Sequence, residues 1–446
     1  MMILKNATLL QFDPPLVAAG QDVVIKDSEI IEVGSNAGAE YQSGAEEVID
    51  LKGNYLLPGI VCSHNHFYSG LARGIMATIE PSPDFVSILK NLWWRLDRAI
   101  DQEILYYSGL ICSLEAVKAG TTAVIDHHAS PSLIKGSLNI LKEAFTQAGL
   151  RGITCFEVTD RNGPEQMREG VAENIEFAAE VEAARKKGAE VRLVEAMIGG
   201  HAPFTLPDEG LELLSGAVAQ SGRGLHLHVG EGTFDGSHSH LYHGRDLVQR
   251  LNDFNLLGEK TIVVHGLYIT ENDIKLLNDK DCYLVHNPRS NMNNSIGYNE
   301  HLARIKNIAL GTDGIGSNMF EELKFAYFKH KDSGGPLWPD TFLKFLQNGN
   351  DLLERNFGLR FGRIEKGYQA DLVVYDYQPP TPLVAPNLGG HMVFGMGSDS
   401  VKTVIINGKV VYRDRQFPFD TDSIYRKARS AAKRLWDNMD SGAAHG

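Results

Sequence analysis

Through the middle of the chain, short apolar runs alternate with longer stretches whose apolar residues recur every three to four positions. The runs fall at 55–63, 122–126, 151–156, 191–197, 224–229, 261–265, 282–286 and 307–313. Stretches such as 137–148 and 272–278 between them carry the helical period. Strands separated by helices predict a parallel sheet, and eight repeats predict its closure into a (β/α)8 TIM-like barrel over 58–365. The ends of the chain have a different texture. Segments 21–26, 30–33, 370–375 and 401–412 form short alternating runs broken by Gly, Asn and Asp. Asn407-Gly408, flanked by β-branched residues, predicts a tight hairpin turn. Residues 1–57 and 366–422 therefore predict a small β-sandwich domain built from both chain ends, and 423–446 a C-terminal helix with a frayed tail.

Composition narrows the partners. The 446 residues are 43% hydrophobic and 22% charged, which is ordinary for a globular protein in water. A formal net charge of −13 argues against nucleic acid or an anionic membrane, both of which want a basic face. No secretory signal is expected at the amino terminus, and no apolar run is long enough to cross a bilayer. Cys62, Cys112, Cys155 and Cys282 are scattered, mostly through apolar stretches. They read as buried free thiols of a cytoplasmic protein rather than disulfides or a Cys-based zinc site.

In such barrels the chemistry sits at the carboxyl ends of the strands. Six of the predicted strands end in reactive residues: His64 and His66, His201, His228 with Glu231, His265, the stretch 286–291, and Asp313. Buried histidine and aspartate are costly unless paired or coordinated, so packing alone does not explain the set. A catalytic zinc wants three or four N/O ligands and a water. His64 and His66, two apart on a strand, share a face, and with His228 and Asp313 they offer three imidazoles and a carboxylate. Glu231, on the turn after His228, can take a proton from water and pass it to a leaving group. His265 can polarise the attacked carbon or hold developing charge. His201 is better placed to hydrogen-bond substrate than to bind metal.

Competing readings accompany several of these residues. Asp313 in Gly-Thr-Asp-Gly can equally cap a helix. His226 is read as a wall residue pointing away from His228. Asp126-His127-His128 invites a second metal, but support of the ligands is the favoured role. His238, His240 and His243 are read as a solvated loop, with an active-site rim as the alternative. Segment 81–100, with Phe85, Trp93 and Trp94, is read as core or subunit contact, with a lid over an aromatic substrate as the alternative.

Taken together, several motifs resemble the amidohydrolase superfamily. They are His64-Asn65-His66 followed by Gly70-Leu71-Ala72-Arg73-Gly74, Gly200-His201-Ala202-Pro203, His228-x-x-Glu231, His265-Gly266, Asn287-Pro288-Arg289-Ser290-Asn291 and Gly311-Thr312-Asp313-Gly314. The branch they resemble holds cytosine-, guanine- and adenosine-type deaminases and triazine chlorohydrolases. Segments 91–98 and 125–131 look most like the SsnA-type aminohydrolases. The resemblance covers essentially the whole chain. It implies one divalent ion, usually zinc, held by His64, His66, His228 and Asp313; iron(II) and manganese(II) suit the same donors. It implies Glu231 and His265 as proton-transfer and polarising groups, with Asp313 also accepting a proton from the attacking water. Strand four ends in Gly199-Gly200-His201, with no lysine to carbamylate, which favours one metal over two.

Arg289 departs from the pattern, standing where a small or uncharged residue is expected. It either selects an anionic substrate group through paired hydrogen bonds or meets solvent or an acidic neighbour. Asn291 of the same motif is a further candidate for substrate contact. The expected activity is hydrolysis of a non-peptide C–N bond: deamination of a small heterocycle such as a purine, pyrimidine or pterin, releasing ammonia. A chlorohydrolase or cyclic-amide hydrolase on the same site is the alternative, and a non-catalytic assembly protein a more distant one. Barrels of this kind are commonly homo-oligomers, dimers or larger, and the same is expected here.

Overall fold

A computed structural model of the chain describes residues 1–187 and 193–442. The eight apolar runs form parallel strands: β1 (Ile60–Asn65), β2 (Thr121–His128), β3 (Arg151–Phe156), β4, β5 (Leu225–Val229), β6 (Ile262–His265), β7 (Tyr283–His286) and β8 (Ile308–Leu310). β4 is interrupted at Met197 and consists of Val194–Ala196 and Ile198–Gly200. Residues 191 and 192 of the expected fourth strand, and 443–446 of the expected tail, lie outside the described residues. Two sheets meet at the break in β4, one running from β1 to its first half and one from its second half to β8. Isolated parallel bridges, Val158 with Gly200 and Asn65 with Asp313, join their edges into a closed ring.

The second seam positions the site. The backbone N–H groups of Thr312 and Asp313 both donate to the His64 carbonyl, at 2.9 and 3.1 Å. Gly311 makes this approach possible. A Cβ there would collide with the Asn287 side chain and lie 2.8 Å from the His64 Cβ. Strand alternation then selects what faces the barrel axis. Val61, Ile125, Ile153, Met197, Val264 and Val285 pack there as one interior core, joined by Leu352 and Phe357 from the helix Pro339–Phe357. Leu225, Leu227 and Val229 of β5 belong instead to the large outer core under the helices.

The chain ends build the small domain. Met2–Phe12 pairs with Glu47–Asp50 through its first half and with Tyr55–Pro58 further along, so strands from both chain ends are hydrogen-bonded together. Leu4, Val23, Leu56, Leu372 and Ile405, drawn from both termini, share its core. The hairpin between Val401–Ile406 and Lys409–Tyr412 turns at Asn407 (φ 54°) and Gly408 (φ 71°), the left-handed pair that the sequence predicts. Buried Arg151, at the start of β3, ties barrel to sheet through Asp371, with N···O distances of 2.6 and 2.9 Å.

The helix Thr421–Gly442 packs beside the segment that follows β1. Trp436 Nε1 donates to the Leu71 carbonyl (3.2 Å), and Arg95 donates to the Met439 carbonyl (3.0 Å). Among the described residues no helix is long and apolar enough to cross a membrane.

Candidate metal and substrate site

Three imidazoles converge at the carboxyl end of the barrel, each aimed by a bond at its far nitrogen. His66 Nδ1–H donates to the His127 carbonyl (2.7 Å) and His228 Nδ1–H to the His201 carbonyl (3.0 Å). His64 Nδ1 pairs with His226 Nε2 (2.9 Å). The Nε2 atoms are left facing one another, those of His66 and His228 being 3.2 Å apart. Asp313 Oδ1 lies 2.9 Å from His66 Nε2 and 3.5 Å from His64 Nε2. His64 Nε2 is buried with no hydrogen-bond partner. Convergent ring nitrogens oriented from behind, with one carboxylate, are the donor set of a divalent first-row metal ion. All four expected ligands therefore fit that role.

Charge behaves accordingly. Burial pushes His64 down to about 3. Burial also opposes charge on His66, but the Asp313 carboxylate outweighs it and holds His66 up at about 9. For Asp313 burial favours the neutral acid, yet His64 and His66 keep it well below the usual carboxylate range. Metal binding would displace the proton that His66 otherwise carries. Asp313 does not cap a helix: the next one, Met319–Asp332, is capped by Asn318, whose side chain accepts from the Glu321 N–H. Ser290 Oγ instead donates to Asp313 Oδ2 (2.5 Å) and fixes the carboxylate. Asp313 (φ 52°) and His265 (φ 69°) both occupy the left-handed region, strain of the kind that collects at functional sites.

Glu231, His265 and Asp313 form a second cluster beside the first. His265 Nε2 stands 3.5 Å from Glu231 Oε2 and 3.9 Å from Asp313 Oδ2. Its Nδ1 bonds Asn291 Oδ1 (2.8 Å), so the ring carries its proton there and leaves Nε2 bare. Burial lowers His265 and keeps it neutral. Burial, reinforced by Asp313 and Asp235, drives the Glu231 carboxyl well above the usual range. Two carboxyl groups shifted in opposite directions thus flank one imidazole.

Above them opens a cavity of about 220 Å³. Its floor includes His66, His228, Glu231 and Asp313, and its walls include His201, Glu157, Phe85, Trp93 and Trp94. His201 is where the sequence predicts it. The 81–100 segment contributes a wall through Phe85, Trp93 and Trp94, and Trp93 also packs against the core, as the core reading expects. Other expectations require correction. His226 does not point away from His228: residues two apart on a strand share a face, and both rings enter the barrel. His238, His240 and His243 lie on a helix, Thr233–His243, rather than in a loop. Asn291 is not among the lining residues; it orients His265 from behind.

Arg289 is also absent from the lining. Its guanidinium is held by Glu322, by Glu321 (2.6 Å) and by the Gly316 carbonyl (2.9 Å), the acidic-neighbour alternative. The Glu322 side chain is fully buried. Arg289→Met should therefore destabilise the fold by about 3 kcal/mol, the scale of a buried pair losing one partner, with substrate KM unchanged. Urea unfolding and steady-state kinetics check this; a raised KM at unchanged stability would return Arg289 to the substrate.

Two residues of the site escaped the sequence reading. Ser290 is hidden inside the Asn-Pro-Arg-Ser-Asn motif. Glu157 directly follows β3 and extends the inward alternation of Ile153 and Cys155; a lone acid at the end of an apolar strand is the signal that would have found it.

Comparison with known proteins agrees with this architecture. The chain is 28% identical over 450 residues to a 5'-deoxyadenosine deaminase of Methanosarcina mazei, covering 99% of both chains. It superposes with a TM-score of 0.82 on an adenosine deaminase from Xanthomonas campestris with bound zinc, at 23% identity, covering 97% of this chain and 98% of that one. It superposes equally, with a TM-score of 0.82, on a mutant of the atrazine chlorohydrolase TrzN from Arthrobacter aurescens complexed with zinc and atraton. There the identity is 18%, covering 97% of this chain and 100% of that one. The profile of the amidohydrolase family matches residues 55–411. The chain belongs to the amidohydrolase family.

Proposed function

We propose that the protein is a metal-dependent aminohydrolase that removes an amino group from a nitrogen heterocycle and releases ammonia. The observation that carries this reading is the proximity of Glu231 and Asp313 to His265 Nε2, at 3.5 and 3.9 Å, next to the converging ring nitrogens of three histidines. The relatives named as deaminases of adenosine derivatives support a purine or related ring, and the zinc-bound neighbours support zinc as the ion for His64, His66, His228 and Asp313.

When bound, such an ion supplies Lewis acidity and lowers the pKa of a coordinated water to about 7. The chain's own residues do the rest. Asp313, ionised, accepts a proton from the attacking water. Glu231, protonated, donates at its carboxyl oxygen to the ring nitrogen next to the attacked carbon. His265 Nε2, unprotonated and 3.5 Å from Glu231, steadies that proton. Phe85, Trp93 and Trp94 exclude water from one wall. The proton that Asp313 takes from water then passes to the amino group, which leaves as ammonia; chloride would leave without one, and this favours deamination over the chlorohydrolase alternative.

Ammonia release from metal-replete protein, screened over purines, their nucleosides, pyrimidines and pterins, tests the proposal. Turnover of at least one class is expected; none across the panel would sink it. The four free thiols, three of them buried, support a reducing cytoplasmic setting. Phe328 and Phe394, both exposed and in ring contact at 5.7 Å, support a homo-oligomer through an apolar contact there.

A further inference from the structure

One end of the cavity closes on an ion pair that the proton chemistry above does not use. A run of ring contacts leads there from the metal-facing nitrogens. His228 meets His201 with centroids 5.7 Å apart, His201 meets Trp94 at 6.4 Å, and the Arg161 guanidinium lies 5.2 Å from the Trp94 ring. Arg161 grips Asp97 with both terminal nitrogens, Nη2 on Oδ2 and Nη1 at 3.5 Å from Oδ1. The two side chains are only 7% and 2% exposed.

The partners are not placed alike. Asp97 lines the cavity, whereas Arg161 lines a separate, smaller cavity together with Ser130, Thr159 and Gln166. The pair therefore turns its carboxylate end toward the substrate and keeps its cation behind. Burial raises Asp97, and the Arg161 charge opposes the rise, as an ion pair requires.

Charge around the cavity follows the same arrangement. Asp97, Glu157, Glu231 and Asp313 all line it, and among the described residues no lysine or arginine does. The charge of a metal ion belongs at the other end of the run, where His66 and His228 face one another. An anionic substituent near Asp97 would lose its water against Phe85, Trp93 and Trp94 and meet a carboxylate in place of a counter-ion. Burying an unpaired charge is costly, and a like charge beside it adds to the cost. An uncharged ring meets neither penalty.

We propose that Asp97 is a specificity-determining residue: it holds Arg161 out of the cavity and turns away heterocycles that carry a phosphate or carboxylate group remote from the displaced amino group. This rests on the aminohydrolase reading and narrows its substrate class to free bases, nucleosides and other rings without negative charge.

The test is equilibrium binding to metal-replete Glu231→Gln protein, in which turnover is suppressed, measured by calorimetry. The probes are adenosine against adenosine 5'-monophosphate, cytidine against cytidine 5'-monophosphate, and pterin against pterin-6-carboxylate. The neutral member of at least one pair should bind about tenfold or more tightly than its anionic partner, and no pair should show the reverse. Adding Asp97→Asn releases the guanidinium to meet an anion, so the two members should come within about twofold, with metal content unchanged. Adding Arg161→Gln instead keeps the carboxylate and removes the cation. That variant should keep the full preference, and it guards against an Asp97 variant that does not fold. Anions bound as tightly as their neutral partners in every pair, a preference unmoved by Asp97→Asn, or one abolished by Arg161→Gln would each overturn the proposal. A preference that depends on Asp97, in a protein that releases no ammonia from any heterocycle, would sink the aminohydrolase reading and leave the charge selection standing. Ammonia released from the monophosphates as readily as from the nucleosides would do the reverse.

Discussion

Glu231→Gln should lower kcat by about 10²–10⁴-fold, the usual worth of a positioned acid–base group, while the protein keeps its full complement of metal. The amide is nearly isosteric with the carboxyl, whose neutral form burial favours at this position. It can still occupy the space beside His265, but it cannot deliver a proton to a ring nitrogen. Nothing in the geometry makes Glu231 necessary for holding the ion: the converging nitrogens belong to His64, His66 and His228, and the nearest carboxylate oxygen to them is that of Asp313. Metal analysis alongside turnover therefore separates the roles. Retained activity would remove Glu231 from the mechanism, and lost metal would make it a ligand.

Asp313→Asn should have the converse signature. Removing an orienting residue behind a metal ligand typically costs 10–100-fold in affinity, so replacing a ligand should weaken metal binding by at least about 100-fold, with activity falling in step. A second readout is available in the metal-free protein. There the Asp313 carboxylate is what offsets burial and holds His66 up at about 9. A histidine with a raised pKa keeps its proton until pH passes that value. In Asp313→Asn burial is opposed only by Glu157 and the His127 carbonyl, so His66 should lose its proton at a lower pH than in the parent protein. An NMR pH titration of His66 that shows the same pKa in the variant as in the parent would contradict the assignment of Asp313 as its partner. Ser290, which donates to Asp313 Oδ2, should tolerate the amide poorly because one of its acceptor positions becomes a donor when the group rotates.

Much of this site is legible from periodicity. His64 and His66 share a face because strands repeat every two residues, and the same rule places His228 inward with His226 behind His64. The two-residue period is enough to turn His226 inward, since it shares a face with His228. Glu157 was equally available, since Ile153, Cys155 and Glu157 lie on one face. Arg289 is different. Its partners Glu321 and Glu322 sit on the next helix, and no local pattern tells a guanidinium whether it will meet a substrate or a buried acid. The wall formed by Phe85, Trp93 and Trp94 is likewise not a local property. Aromatics at helical spacing suit a core as well as a cavity, and the choice is made by where the C-terminal helix braces the segment through Arg95 and Met439.

The repeating strand–helix order, the two β-rich ends and the reactive side chains at strand ends are all legible in the chain alone. Those follow from backbone geometry, which each residue feels through its immediate neighbours. Only the tertiary structure decided which strand ends become neighbours. The seam that lays Asp313 against His64 joins the first barrel strand to the last, and depends on Gly311 leaving room for the approach. It also decided protonation. Whether Glu231 keeps its proton and Asp313 loses its own depends on burial and on charges a few ångströms away, which the chain acquires only when the ring closes.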